Sequence, residues 1–168
     1  LYLDIKKISD SFEPTLTEEV TRVVHSGWYL HGRENKRFAR LYADYCGVSC
    51  CVPTANGLDA LTNVLRAYSQ LLGWHEGDEV IVPANTFIAT ILAITHAGLT
   101  PVLCEPSLSD YLIDEKLIEP LITLRTRAIM PVHLYGRLCN MQAIRSIADA
   151  HGLKVIFCIG ESLEQREA

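Results

Sequence analysis

Apolar positions along the chain alternate between a three-to-four-residue spacing and short unbroken runs. That alternation predicts helices and buried strands in turn, the pattern of an α/β domain on a mostly parallel sheet. Glu13-Pro14-Thr15 opens an amphipathic helix over Leu16–His25 that stops at Ser26-Gly27. A second helix is predicted over Glu34–Tyr45, with Phe38, Leu41, Tyr42 and Tyr45 at helical spacing and Gly47 as the stop. Ser49–Pro53 predicts a short apolar strand, and a strong helix runs from about Leu58 to Leu72. Strands are predicted at Glu79–Val82, Thr100–Cys104, Arg127–Val132 and Lys154–Ile159. The helices between them are Phe87–His96, Asp114–Ile122 and Asn140–His151, and Ser162–Ala168 begins one more. With no repeat, low-complexity tract or linker, one domain is expected, and the element lengths fit a doubly wound sheet.

Composition narrows the function without naming it. The 168 residues are 49% hydrophobic and 21% charged, enough for one sizeable core. A net charge of -5 with scattered Lys and Arg argues against a nucleic-acid partner. No apolar run approaches the roughly 18 residues of a membrane span, and the N-terminus lacks signal-peptide zones, so a cytoplasmic protein is expected. The chain begins with Leu1 and not Met, and a trimmed start is expected. The six cysteines (46, 50, 51, 104, 139 and 158) contain no CxxC pair and no zinc-finger spacing. Reduced thiols are expected, with no metal and no disulfide framework.

Ligands of open parallel sheets bind beyond the carboxyl ends of the strands, and three unusual segments fall there. Thr54-Ala55-Asn56-Gly57-Leu58-Asp59 is a turn leading into a helix start, whose unpaired N–H groups and positive dipole end suit a phosphate. It is neither GxGxxG nor a P-loop. In Pro83-Ala84-Asn85-Thr86-Phe87, the aromatic ring either stacks on a flat cofactor or staples the following helix to the core. In Pro131-Val132-His133-Leu134-Tyr135-Gly136, the histidine serves either packing or chemistry.

Together these segments resemble the DegT/DnrJ/EryC1/StrS family of sugar aminotransferases that depend on pyridoxal phosphate (PLP). The similarity runs from about Leu3 to Ile156. It includes Ser26-Gly27-Trp28-Tyr29-Leu30, Tyr45-Cys46-Gly47-Val48, Ala55-Asn56-Gly57-Leu58-Asp59-Ala60-Leu61, Gly77–Thr90, Pro131–Gly136 and His151–Ile156. The resemblance implies an aspartate-aminotransferase-type large domain with a smaller C-terminal domain. It also implies a homodimer with active sites at the subunit interface, a nucleotide-sugar substrate and an amino-acid donor such as glutamate. Gly57 and Leu58 would hold the PLP phosphate through their N–H groups, beside Asn56 in the turn, and Phe87 would stack on the pyridine ring. Glu105-Pro106 and Ala89–Thr95 look most like members acting on dTDP-linked 3-keto-6-deoxyhexoses.

The chain departs from the family pattern after Ile156. Where the family continues Glu-Asp-Ala-Ala-Gln, this sequence has Phe157-Cys158-Ile159-Gly160-Glu161. Cys158 thus stands at the position of the Asp that pairs with the pyridine nitrogen, and Glu161 at that of the Gln near the PLP hydroxyl. The last residues, Val155–Ala168, are similar to a strand-plus-helix piece of triosephosphate isomerase, without that enzyme's catalytic His or Glu. A family-like part over 1–156 and an aberrant tail over 157–168 are therefore expected. None of Lys6, Lys7, Lys36, Lys116 and Lys154 matches the family's Schiff-base motif, which lies downstream. A truncated chain with no catalytic residue of its own is the expectation.

Overall fold

A computed structural model describes residues 4–159. The backbone forms two compact units, Leu1–Pro53 and Thr54–Ala168, where the pattern alone predicted one domain.

The first unit is helical. Asp4 caps a short helix α1 (Ile5–Asp10) by accepting from the Lys7 amide, an element too short for its periodicity to be seen in the sequence. Helices α2 (Thr15–Ser26) and α3 (Arg33–Cys46) follow the predicted runs, and each ends on a left-handed glycine, Gly27 and Gly47. Arg22 ties them together, donating to Glu19 on its own helix and to Glu34 of α3 at 2.7 and 2.9 Å. That guanidinium pulls the Glu34 carboxyl down to about 2. The predicted strand Ser49–Pro53 does not form: no neighbour pairs with it, Val52 is 77% exposed, and Pro53 has no N–H to give a ladder.

The second unit is built on parallel strands. Helix α4 (Gly57–Leu72) leads through Gly73 to β1 (Glu79–Pro83), and helix α5 (Ile88–His96) leads to β2 (Thr100–Cys104). Strand β3 (Thr126–Ile129), β4 (Val132–His133), helix α6 (Met141–His151), β5 (Lys154–Val155) and β6 (Cys158–Ile159) complete it. The main sheet has the order β2-β1-β3-β5, all parallel, and β4 pairs with β6 in parallel as a second, two-stranded sheet. Every residue of β1 is buried, as expected of a central strand covered on both faces.

Two predicted strands are each split. Arg127–Val132 breaks at Pro131, which cannot donate to the ladder, and so becomes β3 and β4. Its partner Lys154–Ile159 divides into β5 and β6 opposite the break. Single bonds bridge the gap, from the Ile156 N–H to the Ile129 carbonyl at 3.0 Å and from Cys158 N–H to Pro131 carbonyl at 3.1 Å. The predicted helix Asp114–Ile122 is instead two 3-10 turns, Glu115–Leu117 and Glu119–Leu121, because Pro120 removes the amide a continuous helix would use. The predicted helix Ser162–Ala168 lies outside the described residues, as does most of the segment similar to triosephosphate isomerase.

Strand alternation sorts the core into two layers. Ile81, Ile129 and Val155 pack with Cys139, Met141, Ile144 and Ala148 of the α6 side. Val80, Val82, Ala128, Met130 and Ile156 pack with Leu65, Ala93 and Ile94 of the α4 and α5 side. Helix α5 starts just beyond the carboxyl end of β1, and α4 shares its core layer.

Candidate functional site

The turn before α4 is held by one side chain. Asn56, with extended backbone, accepts from the Asp59 amide at 2.9 Å, while its own amide group donates to the Asp59 carboxylate at 2.9 Å. This reciprocal pairing is a variant of the capping box. It satisfies the third helical amide and leaves those of Gly57 and Leu58 without an acceptor among the described residues. Gly57 is exposed, and a side-chain carbon placed on it would meet nothing within 4 Å, so a ligand atom has open access to this backbone. Leu58 anchors the turn by packing its side chain against the α4 and α5 core layer.

At the carboxyl end of β1, Phe87 precedes the first residue of α5 and is 75% exposed. It is therefore no staple to the core: its ring face is open at the same edge as Gly57. Two residues before it, Asn85 donates to the Tyr111 carbonyl at 2.7 Å. Its Oδ1 is buried with no partner, a bare acceptor that residue spacing had not singled out. Thr86 and Thr90 exchange a hydroxyl hydrogen bond of 2.9 Å across the first turn of α5, which fixes the entry angle of the helix.

His133 lies elsewhere. It is 1% exposed, and its Nδ1 accepts from the Cys139 amide at 3.2 Å, which leaves the proton on Nε2. Cys139 belongs to the α6 layer, so His133 points to the face opposite α4 and α5. Its ring packs on Phe157 at 5.7 Å, its Nε2 has no partner, and burial holds its pKa below the ordinary 6.5. The rest of its motif makes a turn: Tyr135 and Gly136 are both left-handed, at φ 58° and 69°, and the Arg137 amide closes back on the Leu134 carbonyl at 2.9 Å.

Cys158 pairs in register with Val132. With Phe157 on the His133 side, alternation puts Cys158 with Ile156 on the α4 and α5 side. It is half-buried, and burial pushes its thiol above the ordinary value, with no charged group among the described residues acting on it. Glu161 lies outside the described residues. Asn56, Gly57 and Leu58 thus lie at the start of α4, Phe87 at the start of α5 and Cys158 in β6, while His133 is bonded to Cys139 of the other core layer. Lys154 opens β5 at the amino end of the sheet, and Lys116 sits in the first 3-10 turn, beside Glu115, which accepts from Asn140 at the cap of α6 at 3.2 Å. Among the described residues no group of His, Cys, Asp and Glu is arranged to hold a metal, and all six cysteines are free. No helix among them is long and apolar enough to cross a membrane.

The chain matches a known family over residues 11–163. The chain belongs to the DegT/DnrJ/EryC1/StrS aminotransferase family. It is 50% identical over 155 residues to the dTDP-3-amino-3,6-dideoxy-alpha-D-galactopyranose transaminase of Aneurinibacillus thermoaerophilus, covering 92% of this chain and 42% of that protein. It is also similar to the crystal structure of DesV of S. venezuelae in complex with a ketimine intermediate, at 41% identity and a TM-score of 0.85. That match covers 94% of this chain and 41% of the other. The NtdA structure of Bacillus subtilis with bound cofactor PMP matches at 35% identity and a TM-score of 0.77, over 84% of this chain and 32% of that one. The chain therefore spans about two-fifths of the length of the relatives it matches.

Proposed function

We propose that this chain forms the phosphate-holding and ring-stacking part of a PLP-dependent aminotransferase acting on a nucleotide-linked keto sugar, of the dTDP-3-keto-6-deoxyhexose kind. The reading is supported, in a member of this family, by two amides at the start of α4 without an acceptor among the described residues and by an exposed Phe87 at the start of α5. The Gly57 and Leu58 N–H groups would hold the phosphate, aided by the dipole of the 16-residue α4. Phe87 would cover one face of the ring. When bound, PLP supplies an electron sink for the carbon that gains or loses the amino group. The amino donor, an amino acid such as glutamate, and a homodimeric assembly belong to the same proposal.

A second reading, a binding or dimerisation module without turnover, is favoured by Cys158 at the position of the family's ring-nitrogen Asp and by Lys154 at the amino end of β5. Both readings need the phosphate turn, and one substitution isolates it. Gly57→Pro removes one amide donor while suiting the first helical position, because Asn56 is already extended and the site has room. Equilibrium dialysis against pyridoxamine 5'-phosphate should show binding to the unmodified chain, weakened about 10- to 100-fold in the variant, for loss of a charge-assisted bond of about 1.5–3 kcal/mol. Phe87→Ala should weaken it as well, with unchanged thermal stability. Equal binding in all three proteins would defeat the proposed site.

A further inference from the structure

The residues gathered at the carboxyl edge fit two parts of the cofactor and fail the third. Phosphate has the Gly57 and Leu58 amides, and the ring face has Phe87. The ring nitrogen has only a thiol, whose position on the inner face of β6 follows from the Val132 pairing and the Phe157–His133 contact. A carboxylate there would hold a ring proton by a charge-assisted hydrogen bond. A neutral thiol is a weak donor and a weak acceptor and supplies no charge. Burial keeps Cys158 in that neutral form, since no cation among the described residues acts on it.

Among the described residues, no side chain near Cys158 replaces the missing charge. Asp59 is occupied by Asn56, and Asn85 offers an uncharged carbonyl oxygen held against Tyr111. His133 is on the far side of the sheet, its Nδ1 already taken by Cys139.

Accepting the cofactor site proposed above, we infer that this edge recognises its ligand by phosphate and ring face alone, and that Cys158 leaves it blind to the ring nitrogen. The ligand class then widens from pyridoxal-type cofactors to flat aromatic phosphomonoesters in general. A benzene ring carrying a phosphomethyl group presents the same phosphate and the same stacking face, and loses nothing by lacking the nitrogen. Cys158 is in this sense a specificity-determining residue, and the specificity it confers is a relaxed one.

The test compares two probes on the 168-residue chain by equilibrium dialysis, pyridoxamine 5'-phosphate and benzyl phosphate. The unmodified chain should bind them within about threefold of each other, a difference under 1 kcal/mol. Cys158→Asp should tighten pyridoxamine phosphate about 10- to 100-fold and leave benzyl phosphate unchanged or weaker, the gain expected of a charge-assisted bond to the ring nitrogen. Cys158→Ser, equal in size and still neutral, should keep the unmodified ratio and shows whether the position tolerates change.

A tenfold or greater preference for pyridoxamine phosphate in the unmodified chain would overturn the inference and leave the proposed cofactor site standing. So would a folded Cys158→Asp variant with the original ratio, since the residue would then not face the ring. If the Asp variant does not fold, the ratio measured on the unmodified chain decides by itself. Failure of both probes to bind the unmodified chain would remove the proposed site, and the inference with it.

Discussion

At the scale of single residues, two side chains carry effects that can be measured separately. Asn56 makes both hydrogen bonds of the α4 cap, so Asn56→Ala should lower stability by about 1 kcal/mol, and Asn56→Gly by only a few tenths. Urea denaturation of the two variants checks this, and a negligible loss in both would mean that the Asn56 side-chain cap contributes little. His133 is buried in its neutral form, with its pKa held below the ordinary 6.5. Its folded state binds protons less readily than its unfolded state. Its contribution is therefore present above about pH 6.5 and is lost as pH falls through the lower, folded value. Denaturation midpoints of the unmodified chain should begin to drop on acidification below about that pH, and His133→Gln should remove this early drop. Asn56 was legible in the sequence, because an Asn before a glycine and a helical pattern signals a cap by local chemistry. The exposure of Phe87 was not, because periodicity allowed both stacking and stapling.

At the scale of elements, the amino end of the sheet holds a buried acidic clasp opposite the candidate site. Glu79 opens β1 and accepts from Thr123 Oγ1 at 2.5 Å, Arg125 at 2.7 Å and Thr126 Oγ1 at 3.3 Å. Asp78 accepts from Arg127 at 2.8 Å and from the His75 amide at 2.9 Å. The clasp joins β1 to the start of β3 across 44 to 49 residues of chain. Hydrogen bonds, from Thr123 for Glu79 and from Arg127 for Asp78, hold both carboxyls below their ordinary values. The unfolded chain therefore takes up protons first, and the clasp stabilises fully above about pH 4.5 and progressively less as pH falls through the folded values. A second, deeper loss of stability is expected in that acid window, separate from the His133 step. Glu79→Gln should flatten it and cost on the order of 2 kcal/mol at neutral pH, through partners left poorly satisfied. An unchanged acid limb in that variant would place the titrating group elsewhere. The elements themselves were mostly legible: α2 to α6 stand where apolar spacing and glycine stops put them. Prolines 120 and 131 were visible too, but a proline's effect depends on whether a neighbour needs its missing amide, which is decided across strands.

At the scale of the whole molecule, burial is unequally shared. Among the described residues, the first unit contributes only Ala43 to the buried apolar core, whereas the second holds both core layers. Hydrogen exchange followed by mass spectrometry should therefore find the amides of β1 and β3 slowest and those of α1 to α3 much faster. Comparable protection in both would contradict the inequality of the two cores. The order β2-β1-β3-β5 pairs residues between 21 and 48 apart in sequence, from Glu79 with Thr100 to Val80 with Ala128. By itself the sequence determined the α/β class, the helices and their stops, the phosphate-type turn and the family, because these depend on residues close along the chain or on ordered motifs. Only the tertiary structure decided that Phe87 is exposed, that His133 is buried against Cys139 and that Cys158 pairs with Val132. Those facts follow from strand register and from alternation across a paired strand, in which a shift of one residue exchanges the faces, and no local pattern carries that information.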